Sequence, residues 1–224
     1  SGLGMKPVLI SGSQEQKQRV ADLILEGGFG AFCLTEPGAG SDASAGKTTA
    51  VKDGDSYILN GRKCFITNGA VASFYCITAM TDKTKGVKGI SAFIIESGTP
   101  GFSIGKKEKK LGIRGSATCE LIFEDVRIPK ENLLGDLGKG FKIAMMTLDG
   151  GRIGIASQAL GLAQGALDEA VQYVKERKQF GRALSKFQNT AFQLANMEVK
   201  VEASRLLVYK AAWNESNHLP YTVD

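Results

Sequence analysis

Leu34-Thr35-Glu36-Pro37-Gly38-Ala39-Gly40-Ser41-Asp42 holds the densest set of residues suited to ligand chemistry in this 224-residue chain. Apolar, strand-like Ala31-Phe32-Cys33 leads into a loop of small residues that ends in Ser-Asp. A glycine-rich loop at a strand end lets backbone N–H groups approach a ligand, because no side chain blocks the way. The hydroxyls of Thr35 and Ser41 add directed hydrogen bonds. Such a loop suits a flat cofactor with an anionic tail and needs no cluster of fixed charge.

Two better-known motifs nearly match and fail on context. Gly38-Ala39-Gly40-Ser41-Asp42-Ala43 fits the dinucleotide fingerprint, which requires a helix to open at the glycines. The subsequent Lys47-Thr48-Thr49-Ala50-Val51 and the Asp53-Gly54 turn read as strand instead. Gly46-Lys47-Thr48 resembles the end of a phosphate-binding loop, but Ser41 stands where its first glycine belongs. A nucleoside-triphosphatase is therefore not expected. The four cysteines have no C-x-x-C spacing and sit in apolar stretches, as buried free thiols in a reducing compartment do. The single histidine, His218, lies beside Pro220, so neither zinc binding nor a Ser-His-Asp mechanism is expected. The net charge of +5 is mild, and the basic run Lys106 to Lys110 reads as a solvated turn rather than a phosphate site. No apolar run reaches membrane-spanning length.

Three textures position these residues. Residues 1 to about 28 read as loop, then a helix opened by a Ser13–Gln16 capping box and closed by Gly27-Gly28. From Phe29 to about Leu134 the apolar period is two. Tyr57-Ile58-Leu59 and Lys63-Cys64-Phe65-Ile66 read as a hairpin turning at Asn60-Gly61. Residues 74–80, 90–96 and 119–128 read as further strands. Beyond Gly140 the pattern is helical, with Gly154, Gly161 and Gly165 and nearby alanines marking close backbone approach. A second capping box, Ser185 to Gln188, opens another helix, whose Phe192, Ala195, Val199, Leu206 and Trp213 are spaced for a buried face.

Four blocks in order resemble the acyl-CoA dehydrogenase family, especially its short-chain, butyryl-CoA dehydrogenase-like members. They are the Thr35–Asp42 loop, Phe65-Ile66-Thr67-Asn68-Gly69, Leu111–Ser116 followed by Phe123–Pro129, and Leu148–Arg152 with Glu176–Gly181. The resemblance implies an α+β fold: an antiparallel β-barrel or sandwich middle domain, then long antiparallel helices of an incomplete C-terminal bundle. Its implied boundaries are 1–28 for the end of an N-terminal helical domain, 29–134 for the β-domain and 135–224 for the helices.

The implied reaction is α,β-dehydrogenation of a short-chain acyl-CoA. A glutamate takes the α-proton, a hydride passes from Cβ to the N5 atom of FAD, and the trans-2-enoyl-CoA results. Phe32, Leu34, Thr35, Gly40, Ser41, Phe65, Ile66 and Thr67 align with residues beside FAD, Thr67 as a donor at N5. Arg177, Phe180 and Gln188 align with residues reaching a neighbouring subunit's FAD. Ser41, Asp149, Gly150, Gly151 and Arg152 align with the substrate side. Three of these have ordinary structural alternatives: Ser41 as a turn residue, Asp149 as a helix-end carboxylate, and Gln188 as the cap partner of Ser185. The catalytic glutamate is expected beyond Asp224. The alternative position in some relatives corresponds to Gly151, and Glu36 is expected to order its loop. The family further implies a homotetramer, a dimer of dimers, with electron-transferring flavoprotein as redox partner. The bacterial cytoplasm is favoured over the mitochondrial matrix. An acyl-CoA oxidase on the same fold, or a flavin- or CoA-binding subunit without catalysis, is the alternative.

Overall fold

Residues 2–222 are described by a computed structural model. Helix α1 (Gly2–Ser11) occupies a stretch whose glycines and proline read as loop. Pro7 lies inside it and cannot donate to the carbonyl four residues back. Packing overrides that propensity, because Val8 is fully buried and Gly4 presses directly on the backbone of Gly30. Helix α2 (Gln14–Leu25) opens with the expected reciprocal cap: Gln16 N donates to Ser13 Oγ at 3.2 Å and Ser13 N donates to Gln16 Oε1 at 2.9 Å.

Eight strands come next: β1 (Gly30–Cys33), β2 (Thr49–Asp53), β3 (Ser56–Thr67), β4 (Phe74–Met80), β5 (Ile90–Glu96), β6 (Phe102–Lys107), β7 (Thr118–Pro129) and β8 (Leu133–Leu134). They form one sheet in the order β6-β7-β3-β2-β4-β5-β8, with β1 also paired to β4. Most pairs are antiparallel as expected, but β1–β4 and β2–β4 are parallel, so the sheet is mixed. The strand path is open, so no barrel closes among the described residues.

The sheet curls over itself in the manner of a sandwich. Tyr75 of β4 meets Phe102 of β6 edge-on at 4.7 Å, although those strands are not neighbours in the sheet. Strands β4 and β5 are consequently buried on both faces. Tyr75, Ile77, Phe93 and Ile95 point into the core shared with β3 and β7. Phe74, Cys76, Ala92 and Ile94 point into a second core with Val8, Val20, Leu134 and Ile143.

The hairpin turn lies at Gly54-Asp55 between β2 and β3, not at Asn60-Gly61. Gly54, at φ 59°, fills the first central position where such turns favour glycine. Strand β3 runs straight through Asn60-Gly61 with a register shift against β7. Gly61 is needed there because a Cβ would fall 2.8 Å from the Cα of Thr48.

Helix α3 (Gly140–Glu176) is followed by a short hairpin, β9 (Lys178–Gln179) and β10 (Arg182–Ala183), and by α4 (Gln188–Ser216). The chain divides into two compact units, Ser1–Leu148 and Asp149–Asp224. That division falls after the first turns of α3, because Ile143 belongs to the core of unit 1. In unit 2, Leu160, Leu167 and Val171 of α3 pack on Leu194, Val201 and Val208 of α4. Phe192, Val199, Leu206 and Trp213, expected as a buried face, are exposed. The Ser185–Gln188 box does not form: Phe187 is the N-cap, without a side-chain cap bond, and Gln188 is the first helical residue.

Candidate functional site

Two segments of unit 1 build the walls of one cavity of about 470 Å³. Phe32, Leu34 and Thr35 form one wall, where β1 ends and the glycine-rich loop begins. Phe65, Ile66 and Thr67 form the other, at the end of β3. Leu3, Gly4 and Leu148 also line it. The volume falls in the usual range for small-molecule sites, about 300–1,000 Å³. The hydroxyls of Thr35 and Thr67 have no hydrogen-bond partner among the described residues. A mostly apolar cleft with a few free donors is what a flat heteroaromatic ligand requires.

The strand-end wall is held in an uncommon backbone shape. Phe65 and Asn68 sit at φ 57° and 62° and bracket Ile66-Thr67. Positive φ in a bulky residue is strained, by about 1–3 kcal/mol, and such strain concentrates at ligand sites. Register with β7 is lost between Lys63 and Ile66, and Phe65 is turned outward, 64% exposed.

The loop wall is fixed by Glu36. Its carboxylate accepts from Lys47 N at 2.6 Å, from Thr48 N at 3.2 Å and from Lys63 Nζ at 2.7 Å. The two backbone bonds tie the far end of the loop to its beginning, and Glu36 and Ala39 close a tight turn between them. Glu36 thus orders its loop as expected. With its oxygens engaged and its side chain buried, it is unsuited to act as a base. The glycines lead into a short 3₁₀ turn, Ala43–Ala45, and then into strand β2, so neither nucleotide motif has its helix.

Burial raises the Glu36 pKa, but the Lys63 charge and the hydrogen bonds from Lys63, Lys47 and Thr48 outweigh it and hold the carboxyl below its ordinary range. Burial pulls the Lys63 ammonium down, with Glu36 pushing back. A carboxylate whose native pKa is depressed stabilises the fold above its unfolded value of about 4.3, and that contribution is lost as pH falls through the native value. The stability difference between wild type and Glu36→Gln should therefore be widest above pH 5 and shrink steadily toward pH 3. Chemical denaturation across that range checks it, and a difference independent of pH would contradict the assignment.

Sequence reading missed Lys63. Its position in a half-polar strand resembles any surface lysine, and only the curl of the sheet buries it to 1% exposure. Gly40 and Ser41, expected at the cofactor, lie exposed on the loop and do not line the cavity. All four cysteines are free and buried, and no metal-holding cluster exists among the described residues. No described helix is long and apolar enough to cross a membrane.

Unit 2 carries the remaining candidates in two places. Asp149 and Arg152 line an apolar cavity of about 330 Å³ between α3 and α4, with Ser204, Leu207 and Ala211 opposite. Gly150 and Gly151 lie in α3 and do not line it. Arg177, Phe180 and Gln188 are all exposed around the β9–β10 hairpin. Phe180 is 92% exposed and sits at φ 51°, followed by Gly181 at φ 73°. The Arg182 guanidinium stacks over the Phe187 ring at 4.1 Å, a contact the sequence did not signal.

Residues 31–126 match the acyl-CoA dehydrogenase middle domain, and residues 138–223 match the acyl-CoA dehydrogenase C-terminal domain. The chain is 61% identical over 214 residues to the short-chain specific acyl-CoA dehydrogenase of Clostridium acetobutylicum, covering 95% of this chain and 56% of that protein. It is 55% identical over 207 residues to the caffeyl-CoA reductase-Etf complex subunit CarC of Acetobacterium woodii, covering 92% of this chain and 55% of that protein. The solved structure of butyryl-CoA dehydrogenase from Megasphaera elsdenii superposes with a TM-score of 0.95 at 56% identity, covering 99% of this chain and 58% of that one. The chain spans little more than half the length of these relatives. Matched in order by two domains of one family, the chain belongs to the acyl-CoA dehydrogenase family.

Proposed function

We propose that the protein containing this chain is a flavin-dependent dehydrogenase of short-chain acyl-CoA thioesters. One observation carries the reading: the loop wall and the strand-end wall meet around a single cavity, with the free hydroxyls of Thr35 and Thr67 in its lining. These residues fit the isoalloxazine of FAD, whose edge is polar and whose faces are apolar. FAD, when bound, accepts the hydride that leaves Cβ of the substrate. Thr35 and Thr67 would donate hydrogen bonds to the polar edge, Thr67 at N5. Phe32, Phe65 and Ile66 exclude water from the ring. Ser41 and the segment Asp149–Arg152 hold the acyl-CoA side, and Arg177, Phe180 and Gln188 reach the FAD of a neighbouring subunit. The α-proton would be taken by a glutamate, leaving the trans-2-enoyl-CoA.

Assembly into a homotetramer and electron transfer to electron-transferring flavoprotein belong to the same proposal. The Etf-complex relative supports the second. Anaerobic addition of butyryl-CoA to the flavin-loaded protein is expected to bleach the visible flavin band. A band unchanged by any saturated short-chain acyl-CoA would sink the reading. Rapid reoxidation of the reduced protein by oxygen would favour the oxidase alternative.

A further inference from the structure

Lys63 is 1% exposed, and its ammonium bonds to three acceptors, two on the glycine-rich loop and one on β4. Nζ donates to Glu36 Oε1 at 2.7 Å, to the Leu34 carbonyl at 3.1 Å and to Thr78 Oγ1 on β4 at 3.4 Å. Beside it, Cys64 N donates to the Thr35 carbonyl at 2.9 Å. Leu34 and Thr35 belong to the loop wall of the cavity, and Lys63 lies two residues before the strand-end wall begins. Register with β7 slips between Lys63 and Ile66, so Phe65 has no ladder partner, although Ile66 and Thr67 pair again with Cys119 and Thr118. At that gap, Lys63 and Cys64 tie β3 to the loop wall, and beyond it Asn68 Nδ2 donates to the Gly30 carbonyl of β1 at 3.4 Å.

A buried ion pair is a poor device for stability alone. Desolvation consumes most of its attraction, and an apolar pair of similar volume often serves as well or better. What such a pair supplies is a unique arrangement, since a misplaced ammonium or carboxylate would be buried without partners. Leu34, Glu36, Lys63 and Thr78 are held to one geometry in a way that packing of apolar groups would not enforce.

We propose that the Lys63–Glu36 pair is a positioning element for the flavin, setting the spacing between the Leu34–Thr35 wall and the Phe65–Thr67 wall. Neither residue touches the ligand; both act through the walls. The proposal rests on the reading that the cavity holds FAD, and it goes beyond that reading by naming what sets the cavity's width.

The test separates positioning from stability by measuring FAD dissociation constants and urea midpoints on the same flavin-stripped proteins. Four are compared: wild type, Lys63→Met, the double variant Lys63→Met with Glu36→Gln, and Leu59→Ala. Leu59 is a fully buried core residue that does not line the cavity. Lys63→Met is expected to lose stability and to bind FAD at least about tenfold more weakly, a misplaced hydrogen bond's worth. The double variant is expected to recover most of the stability but to keep the tenfold or greater weakening and a shifted flavin band. Leu59→Ala is expected to lose stability while its FAD affinity stays within about threefold of wild type. Should Lys63→Met not fold, the double variant and the Leu59→Ala control still decide. A double variant that binds FAD as wild type does, or affinity that follows stability across the set, would overturn the proposal and leave the cofactor reading intact. A wild-type protein that holds no flavin would overturn both.

Discussion

Glu36→Ala is expected to remove about 3–5 kcal/mol from the stability of unit 1, the usual effect of breaking a buried ion pair from one side. Three donors lose their acceptor at once: Lys63 Nζ, Lys47 N and Thr48 N. Thr48 is almost fully buried, so its freed N–H has no ready route to water. Lys63 is left as a buried cation with only the Leu34 carbonyl and the Thr78 hydroxyl near it. The chain has two compact units, so a single global unfolding energy is not well defined. Native-state hydrogen exchange at the amides of β4 and β5 reports unit 1 directly. A loss below about 1 kcal/mol there would show that water or loop movement replaces the lost acceptor.

The second large effect is expected from Gly4→Ala. A Cβ at Gly4 would lie 2.3 Å from the carbonyl carbon of Gly30 and 2.6 Å from the N of Ala31. Those are backbone atoms of a strand paired to buried β4, so they cannot yield as a side-chain tip can. Overpacking costs about 1–3 kcal/mol, and a backbone clash belongs at the upper end or beyond. Helix α1 should lift from β1, with faster proteolysis within residues 2–11 and loss of the cavity wall that Leu3 and Gly4 supply. Gly2→Ala is the matched control, since nothing lies within 4 Å of its Cβ. It should be neutral or stabilise α1 slightly, by up to about 1 kcal/mol. Equal behaviour of the two variants would refute the packing argument.

Local signals were legible where burial and periodicity agreed. Residues 74–80 and 90–96 are mostly apolar, and they became β4 and β5 at those bounds because both faces are covered. Ser13 and Gln16 made the reciprocal cap that their spacing required. The misreadings have specific causes. Asn60-Gly61 carries a strong turn signal, yet Gly61 serves the close crossing of Thr48. Asn60 instead bonds across to Asp125, donating from Nδ2 and accepting from Asp125 N. Strand β6 was missed because it lies at the sheet edge with most of its residues exposed, so it lacks the apolar alternation of its neighbours.

The two walls of the candidate site could be picked out from motif residues, and the structure brings them together at one cavity. What joins them was not legible. Lys63 has the composition of a surface residue, and its burial depends on contacts with Glu36, 27 positions away, and Thr78, 15 positions away. In α4 the error ran the other way. Phe192, Val199, Leu206 and Trp213 recur every seven residues, which reads as a core stripe, whereas Val201 and Ala211 are the apolar residues buried.

That exposed stripe has a spectroscopic consequence. Trp213 is the only tryptophan of the chain, and it stands 60% exposed in unit 2. Its emission therefore starts near the wavelength of solvated indole and reports on the helices alone. Unit 1, with the cavity and the Lys63–Glu36 pair, has no tryptophan and carries buried Tyr57 and Tyr75 as its chromophores. Excited at 295 nm, the sample would trace the melting of the helices, whereas tyrosine absorbance would add that of unit 1, and only the second would respond to the state of the cavity.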